Sequence, residues 1–330
     1  MIRIGIIVSE RCQASSVFAV TDLIMAANYC LSRYFAEPTP LFSYQLIGLT
    51  ESVRAYNGSD IGPAVKITTC DRPDVVILPG AFESVLEQSH CQSLLDKMPH
   101  IFTALHRWHH QGSVIASVCT GNFLLAAAKI SAGRPLTCHW ASSEVAARLF
   151  PSETFNTDNL LIDHGDIVSA GGAMATSQMV LHLIARFHSR ELALATGKLM
   201  MIELNLESQN RFAMFQPRQN HSDTLVAKLQ RTIETSFQSR LDLTSFADLA
   251  GIGERQLSRR FKRATGESPL SYLQRYRVEQ VKIGLESTSD AINKLILDAG
   301  YEDHTSFRRL FKRFTGVTMK EYRSRFGVGA

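Results

Sequence analysis

The chain has 330 residues, 45% hydrophobic and 20% charged, with a formal net charge of +4. This length and balance imply two or more domains with cores of their own and exclude a disordered, collagenous or disulfide-dense chain. Six cysteines (Cys12, Cys30, Cys70, Cys91, Cys119 and Cys138) include no C-x-x-C pair, which excludes a disulfide scaffold and a zinc finger and points to a reducing, cytoplasmic setting with no metal or cofactor.

The start, Met1-Ile-Arg-Ile-Gly-Ile-Ile-Val8, runs straight into a strand and lacks the organisation of a signal peptide. Ile4–Val8 is a β-branched run broken only by Gly5, as suits a parallel strand buried on both faces. Helical spacing follows over Phe18–Leu31, then strands at Ser43–Leu49 and Asp74–Leu78, the latter ended by Pro79-Gly80. Helices are expected at Ser84–Leu95 and Ile101–Gln111, and a fourth strand at Val114–Val118. That strand meets Cys119-Thr-Gly-Asn122 and a helix through Ala128; the apolar stretch Ser113–Ile130 is therefore a strand and a helix rather than a membrane span. Ile167–Gly172 is a later strand, Ala175–His188 a helix, and residues 191–204 continue as helix. The alternation predicts an α/β domain over residues 1–204, flavodoxin-like, with a mostly parallel sheet flanked by helices. A linker over residues 205–222, rich in Ser, Gln and Asn and carrying Pro217, leads to an all-α domain over 223–330.

That last domain repeats itself. Leu257-Ser-Arg-Arg-Phe261-Lys-Arg-Ala-Thr-Gly266 returns fifty positions later as Phe307-Arg-Arg-Leu-Phe311-Lys-Arg-Phe-Thr-Gly316, and Tyr272 returns as Tyr322. Each copy completes a helix-turn-helix: Phe246–Ala250, a break and Glu254–Ala264; then Ile292–Ala299, a break and His304–Phe314. Leu257, Phe261 and Ala264 form one buried stripe, and Phe307, Leu310, Phe311 and Phe314 the other. Opposite them lie Arg255, Arg259 and Lys262, flanked by Ser258 and Arg263, and in the second copy Thr305, Arg309 and Lys312, flanked by Arg308 and Arg313. Arginine forks suit guanine edges; Lys262, Arg263, Lys312 and Arg313 suit phosphates. Residues 221–330 hold 19 basic and 13 acidic side chains, so the positive charge sits with this pattern. Double-stranded DNA is the expected partner, read in successive major grooves, with the helix Leu270–Ser287 setting the separation of the two readers.

In the first domain, Cys119 stands at a sharp strand-to-helix junction, the place where a side chain is lifted above a sheet edge and a thiolate is stabilised by a helix N-terminus. His139 follows in Leu136-Thr-Cys-His-Trp140, and Cys with His is the minimum for nucleophilic catalysis. Pro79-Gly80-Ala81 is expected to offer backbone N–H donors beside the thiol. His106, His109 and His110 read as a helix end favoured by its dipole rather than as metal ligands. Asn57-Gly58-Ser59 reads as a tight turn, Gly171-Gly172 lacks a dinucleotide fingerprint, and Met179 and His182 read as core residues.

The paired units, the ending Phe-Lys-Arg-x-Thr-Gly and Ser268-Pro269-x-x-Tyr272 resemble the AraC/XylS family of transcription regulators over residues 224–326, with Thr318-Met319 where the second Ser/Thr-Pro is usual. Asp74–Gly80, Ser117–Ala128, Gly133–Trp140 and Ala170–Ile184 resemble the PfpI and class I glutamine-amidotransferase-like fold. Aligning Asp22 with the acidic position in that family's first helix puts Ser16 where the catalytic acid usually sits; Ala81 replaces a common glycine and Gln178 a common aspartate. Together the halves, with the joining stretch Glu207-Ser-Gln-Asn-Arg-Phe212, resemble the GlxA-type subgroup of AraC regulators. The resemblance implies a sensor and dimerisation module without catalysis, an effector drawn from small nitrogenous metabolites, a homodimer, promoter DNA, RNA polymerase as a partner and an activator's role. The effector is expected above the strand ends, near Cys119, His139, Thr120, Gly80, Ala81, Ser16 and Trp140. Two alternatives stand beside this: a PfpI-like Cys-dependent amidase or hydratase with a regulatory tail, and a redox sensor using Cys119, with Cys138 a packing residue.

Overall fold

A computed structural model describes residues 1–81, 88–204, 208–215, 217 and 221–328. The first four residues of the helix expected from Ser84 lie outside them. The chain divides into two compact units, Met1–Gln209 and Asn210–Ala330.

In the first unit β1 (Ile2–Val8) leads into α1 (Ala14–Tyr34) and β2 (Phe42–Gly48). α1 is long and apolar enough to cross a membrane by length and composition, yet Val17, Val20, Leu23, Ile24 and Leu31 are buried, as in the core helix of a globular fold. A two-strand ladder, β3 (Val53–Arg54) with β4 (Asp60–Ile61), closes around the Asn57-Gly58 turn, followed by the short β5 (Val65–Lys66). Then come β6 (Val75–Leu78), α2 (Gln88–Leu95), α3 (Pro99–His110), β7 (Val114–Val118), α4 (Asn122–Ala127), α5 (Ser143–Leu149), β8 (Leu161–Asp163), β9 (Ile167–Ala170), α6 (Ala175–Phe187) and α7 (Arg190–Leu199). After His188 the Ser189 hydroxyl accepts from Leu192 N and starts α7, and the helix expected through 204 ends at Leu199.

Among the described residues seven strands form one sheet in the order β5-β2-β1-β6-β7-β9-β8. Every pairing is parallel except β8 against β9. Alternate residues of the central strands serve opposite faces. Ile4, Ile6, Val75, Ile77, Ala116 and Val168 pack with α1, α6 and α7; Ile7, Val76, Leu78, Ile115 and Ile167 pack with α3, α4 and α5. Burial on both faces is why these strands read as unbroken apolar runs.

The second unit is helical: α8 (Thr224–Ser236), α9 (Leu243–Ala250), α10 (Glu254–Thr265), α11 (Pro269–Ser287), α12 (Ile292–Asp298), α13 (His304–Thr315) and α14 (Met319–Phe326). Among the described residues it holds two separate hydrophobic clusters. Val226, Ile233, Phe246, Leu257, Phe261, Tyr272 and Leu273 form one; Val278, Val281, Leu285, Ile296, Phe307, Phe311 and Tyr322 form the other. α11 contributes to both. The chain entering this unit is fastened to it: Lys282 Nζ donates to Ala213 O (2.6 Å), and the Phe212 and Phe215 rings pack edge-on against Phe326 and Tyr272.

The repeated motif is largely a folding device. Thr265 and Thr315 are buried and donate to Phe261 O and Phe311 O (2.8 Å each), and Gly266 and Gly316 take φ values of 87° and 76° to end their helices. Tyr272 and Tyr322 each donate a buried hydroxyl to a glutamate, Glu234 and Glu286. The Phe, Thr, Gly and Tyr of each copy therefore build the unit, and the Lys-Arg pair between them is left to solvent.

Candidate functional site

β7 ends at Val118, and Cys119 adopts a φ of 58°, a left-handed conformation that costs a residue with a Cβ and persists only where its surroundings enforce it. The enforcement is visible. After one tight turn over Cys119–Gly121, the Asn122 amide donates to Cys119 O (2.9 Å) and Ala170 O (2.8 Å), while Ser117 donates its hydroxyl to Asn122 Oδ1. A Cβ at Gly121 would stand 2.2 Å from Leu78 O, so the elbow can lie against the end of β6 only with glycine there. Gln13 N donates to Gly80 O (2.9 Å) and Cys12 bridges Ala81, which brings the first turn of α1, with Ser16, to the same place. Ser16, Gly80, Ala81, Cys119 and Thr120 thus gather at one end of the sheet.

The geometry departs from two expectations. Burial pushes the Cys119 thiol up to about 11, outweighing its hydrogen bonds to Thr120, so the group is a neutral thiol at neutral pH rather than a thiolate. Nor is the Ala81 N–H free beside it: Thr120 Oγ1 accepts from Ala81 N (2.8 Å) and donates to Ala81 O (3.0 Å). Ser16, at the position of the usual acid, is buried with its hydroxyl unpaired among the described residues. Among those residues no hydrogen bond joins Cys119 to His139.

His139 caps a turn over Trp140–Ser142, its Nδ1 accepting from Ala141 N (3.1 Å), so the neutral ring carries its proton on Nε2. Burial lowers its pKa, which keeps it neutral. Its ring lies against Gly172, where a Cβ would be 3.4 Å from Cδ2, and 5.3 Å from the Trp140 ring centre. Cys138 is fully buried, and burial first, with the Cys119 thiol second, pushes its pKa up. The arrangement offers a half-buried imidazole N–H donor, an aromatic face and a buried thiol. That suits holding a small molecule better than attacking one.

The residue that sequence reading missed is Gln209. Its buried side chain donates from Nε2 to Cys138 O (2.8 Å) and accepts at Oε1 from Trp140 N (3.0 Å). Only the glycine pair Gly171-Gly172 hinted at a close approach of this kind. His109 stands in the last turn of α3, as expected, and its Nε2 also lies 2.7 Å from Asp166 Oδ2, a carboxylate held by Arg134 as well. His182, expected in the core, is half-exposed and pairs with Asp163 (2.7 Å).

On α10, Arg255, Arg259, Lys262 and Arg263 are exposed and Ser258 is half-buried; on α13, Thr305, Arg308, Arg309, Lys312 and Arg313 are exposed. Leu257, Phe261, Phe307, Leu310 and Phe311 are buried, whereas Ala264 and Phe314 are half-buried and Thr265 and Thr315 complete the stripes. Two of the cations are braced: Arg308 donates to Asn293 Oδ1 (2.8 Å) and Arg313 to Gln274 Oε1 (3.3 Å). Asp303 caps α13 through Thr305 N and Ser306 N, which fixes the start of that helix.

The DJ-1/PfpI family profile matches residues 36–186, and the profile of the helix-turn-helix domain matches residues 246–325. The HTH-type transcriptional regulator GbdR of Pseudomonas aeruginosa is 28% identical over 224 residues, which are 67% of this chain and 60% of GbdR. The chain therefore spans about 60% of the length of that relative. The HTH-type transcriptional regulator GlxA of Rhizobium meliloti is 27% identical over 228 residues, 68% of this chain and 69% of GlxA. Among solved structures, Drosophila melanogaster DJ-1beta superposes with a TM-score of 0.50 at 15% identity, covering 61% of this chain and 98% of its own, and shares the fold of the first unit. The chain thus joins a DJ-1/PfpI-family region to a helix-turn-helix region, and it is similar to HTH-type transcriptional regulators, GlxA among them.

Proposed function

We propose that this protein is a cytoplasmic transcription regulator, an activator, whose second unit reads promoter DNA and whose first unit takes a small nitrogenous effector without turning it over. The carrying observation is the pair of exposed basic faces on α10 and α13, presented at matching positions by two units that share a left-handed glycine C-cap and buried residues at three matching positions. Arg255, Ser258, Arg259, Thr305, Arg308 and Arg309 reach base edges, and Lys262, Arg263, Lys312 and Arg313 meet phosphates. RNA polymerase is the partner that an activator requires.

The effector is held near Cys119, His139, Thr120, Gly80, Ala81, Ser16 and Trp140. The Ser16 hydroxyl, which has no partner among the described residues, and the His139 ring, whose proton sits on Nε2, can donate to it. Binding rather than catalysis is supported by the protonated thiol and by the engaged Ala81 N–H. Phe18, Met25 and Tyr29 are exposed along one face of α1, which supports a homodimer through the first unit.

Capture of genomic fragments by the full-length protein at about 150 mM salt, where non-specific phosphate binding is already weak, tests the central claim. Enrichment of a promoter site with two reading blocks about one helical turn apart supports it. Failure to enrich any fragment, with and without a metabolite extract, removes it. An effector that binds Cys119→Ala and His139→Ala as tightly as the parent places the site elsewhere.

A further inference from the structure

The chain leaves the first unit at Gln209, whose side chain is only 3% exposed. A glutamine in a polar joining stretch ordinarily keeps its amide in water. This one is enclosed by groups that match it atom for atom. Nε2 donates to Cys138 O at 2.8 Å and also lies 3.3 Å from both Thr137 Oγ1 and Asn159 O. Oε1 accepts from Trp140 N at 3.0 Å. Acceptors surround the amine end and a donor meets the oxygen end. A carboxylate here would turn a charge toward the Cys138 and Asn159 carbonyls, and an aliphatic chain would leave Trp140 N–H unpaired. Gly171 is the near wall, since a Cβ there would stand 2.6 Å from Nε2.

Ser208 bridges Asn159, and Asn210–Phe212 form a turn at the start of the second unit, whose Lys282 holds Ala213 O. The cradle is also made largely from Thr137–Trp140, the segment that presents His139 and Trp140 to the candidate effector site.

We propose that this cradle is a primary-carboxamide site which the chain fills with its own Gln209, forming a latch between the joining segment and the segment that carries His139. An effector that shifts Thr137–Trp140 releases the latch and lengthens the free chain between the two units. This coupling rests on the effector reading given above; the latch itself does not.

The test uses the full-length protein without any effector. Trypsin cleavage after Arg211, two residues beyond the latch, reports the open population of the segment. Gln209→Gly and Gln209→Glu are expected to speed that cleavage about tenfold, with cleavage elsewhere unchanged. Gly171→Ala pushes the amide out without altering it and is expected to act alike; it also carries the test should Gln209→Gly fail to fold. Millimolar propionamide is expected to raise the melting temperature of Gln209→Gly, and propionate is not. Cleavage within about twofold of the parent in both Gln209→Glu and Gly171→Ala overturns the latch. An equal response to propionate overturns the carboxamide selectivity. If these results hold and every effector titration fails, the effector reading falls and the latch stands.

Discussion

At the scale of single residues, Cys119 shows how burial can withdraw a reactive group from chemistry while the backbone still holds it in a nucleophile's posture. The φ of 58° and the Asn122 brace are those of an elbow, but the thiol is pushed up to about 11 by burial. Alkylation of Cys119 by iodoacetamide in the intact protein is therefore expected to keep rising with pH beyond 9, and a plateau below pH 8 contradicts the assignment. The fold prefers the neutral thiol. This group accordingly stabilises the fold below the ordinary thiol value of 9.0, and its contribution fades as pH climbs toward 11. Gly121 is the elbow's steric condition. Gly121→Ala sets a Cβ against the Leu78 carbonyl, which is backbone and cannot swing away, so a loss of about 3 kcal/mol or more in urea unfolding is expected. The elbow itself was legible in the sequence, because a β-branched strand running into Cys-Thr-Gly-Asn leaves few other turns. The thiol's protonation was not, since it depends on how completely α1 and its neighbours cover the site. Gln209 was illegible for a related reason: nothing in Ser-Gln-Asn distinguishes a solvated amide from an enclosed one.

Among the elements, Asp166 ties the start of β9 to the end of α3 and to the loop bearing Arg134. The Arg134 guanidinium first, and His109 second, hold its carboxyl well below the ordinary value of 3.8. A depressed carboxylate stabilises the fold above its ordinary pKa and loses that contribution as pH falls through its lower folded value. Asp166→Asn is expected to cost about 1 kcal/mol at pH 7, modest because the pair is partly exposed. Urea titrations should show the difference from the parent narrowing only below pH 3.8. On the proposed assignment, the two kinds of basic side chain are expected to separate by salt. Arg259→Ala should weaken DNA binding by about 1–3 kcal/mol and relax base preference, whereas Lys312→Ala should weaken all sequences alike and lower the salt slope by about 1. Equal loss of preference in both variants would erase the distinction. These helices were readable because caps, periodicity and repetition agreed. β3, β4, β5 and β8 were not, because strands of two or three residues carry too little pattern, and β8 (Leu161-Ile-Asp163) lies at the sheet's edge with its side chains partly in water.

For the whole molecule, the hydrophobic clusters divide cleanly between Met1–Gln209 and Asn210–Ala330. Each unit has what it needs to fold alone. A fragment of residues 210–330 is expected to unfold cooperatively and to be about 1–3 kcal/mol more stable than one of residues 221–330, which lacks Phe212, Ala213 and Phe215. Chemical denaturation of the two fragments decides this, and equal midpoints would mean that the entering segment contributes nothing.

The second unit is itself divided, one cluster under α10 and another under α13, with α11 running through both. A grip built this way is spelled as two words on one spine. On the function proposed above, either word can be revised without rewriting the other, so that a promoter drifting at one block would still be held at the second. Damage to one cluster should leave a stammering regulator rather than a silent one, with half its address still spoken and its residence on DNA shortened.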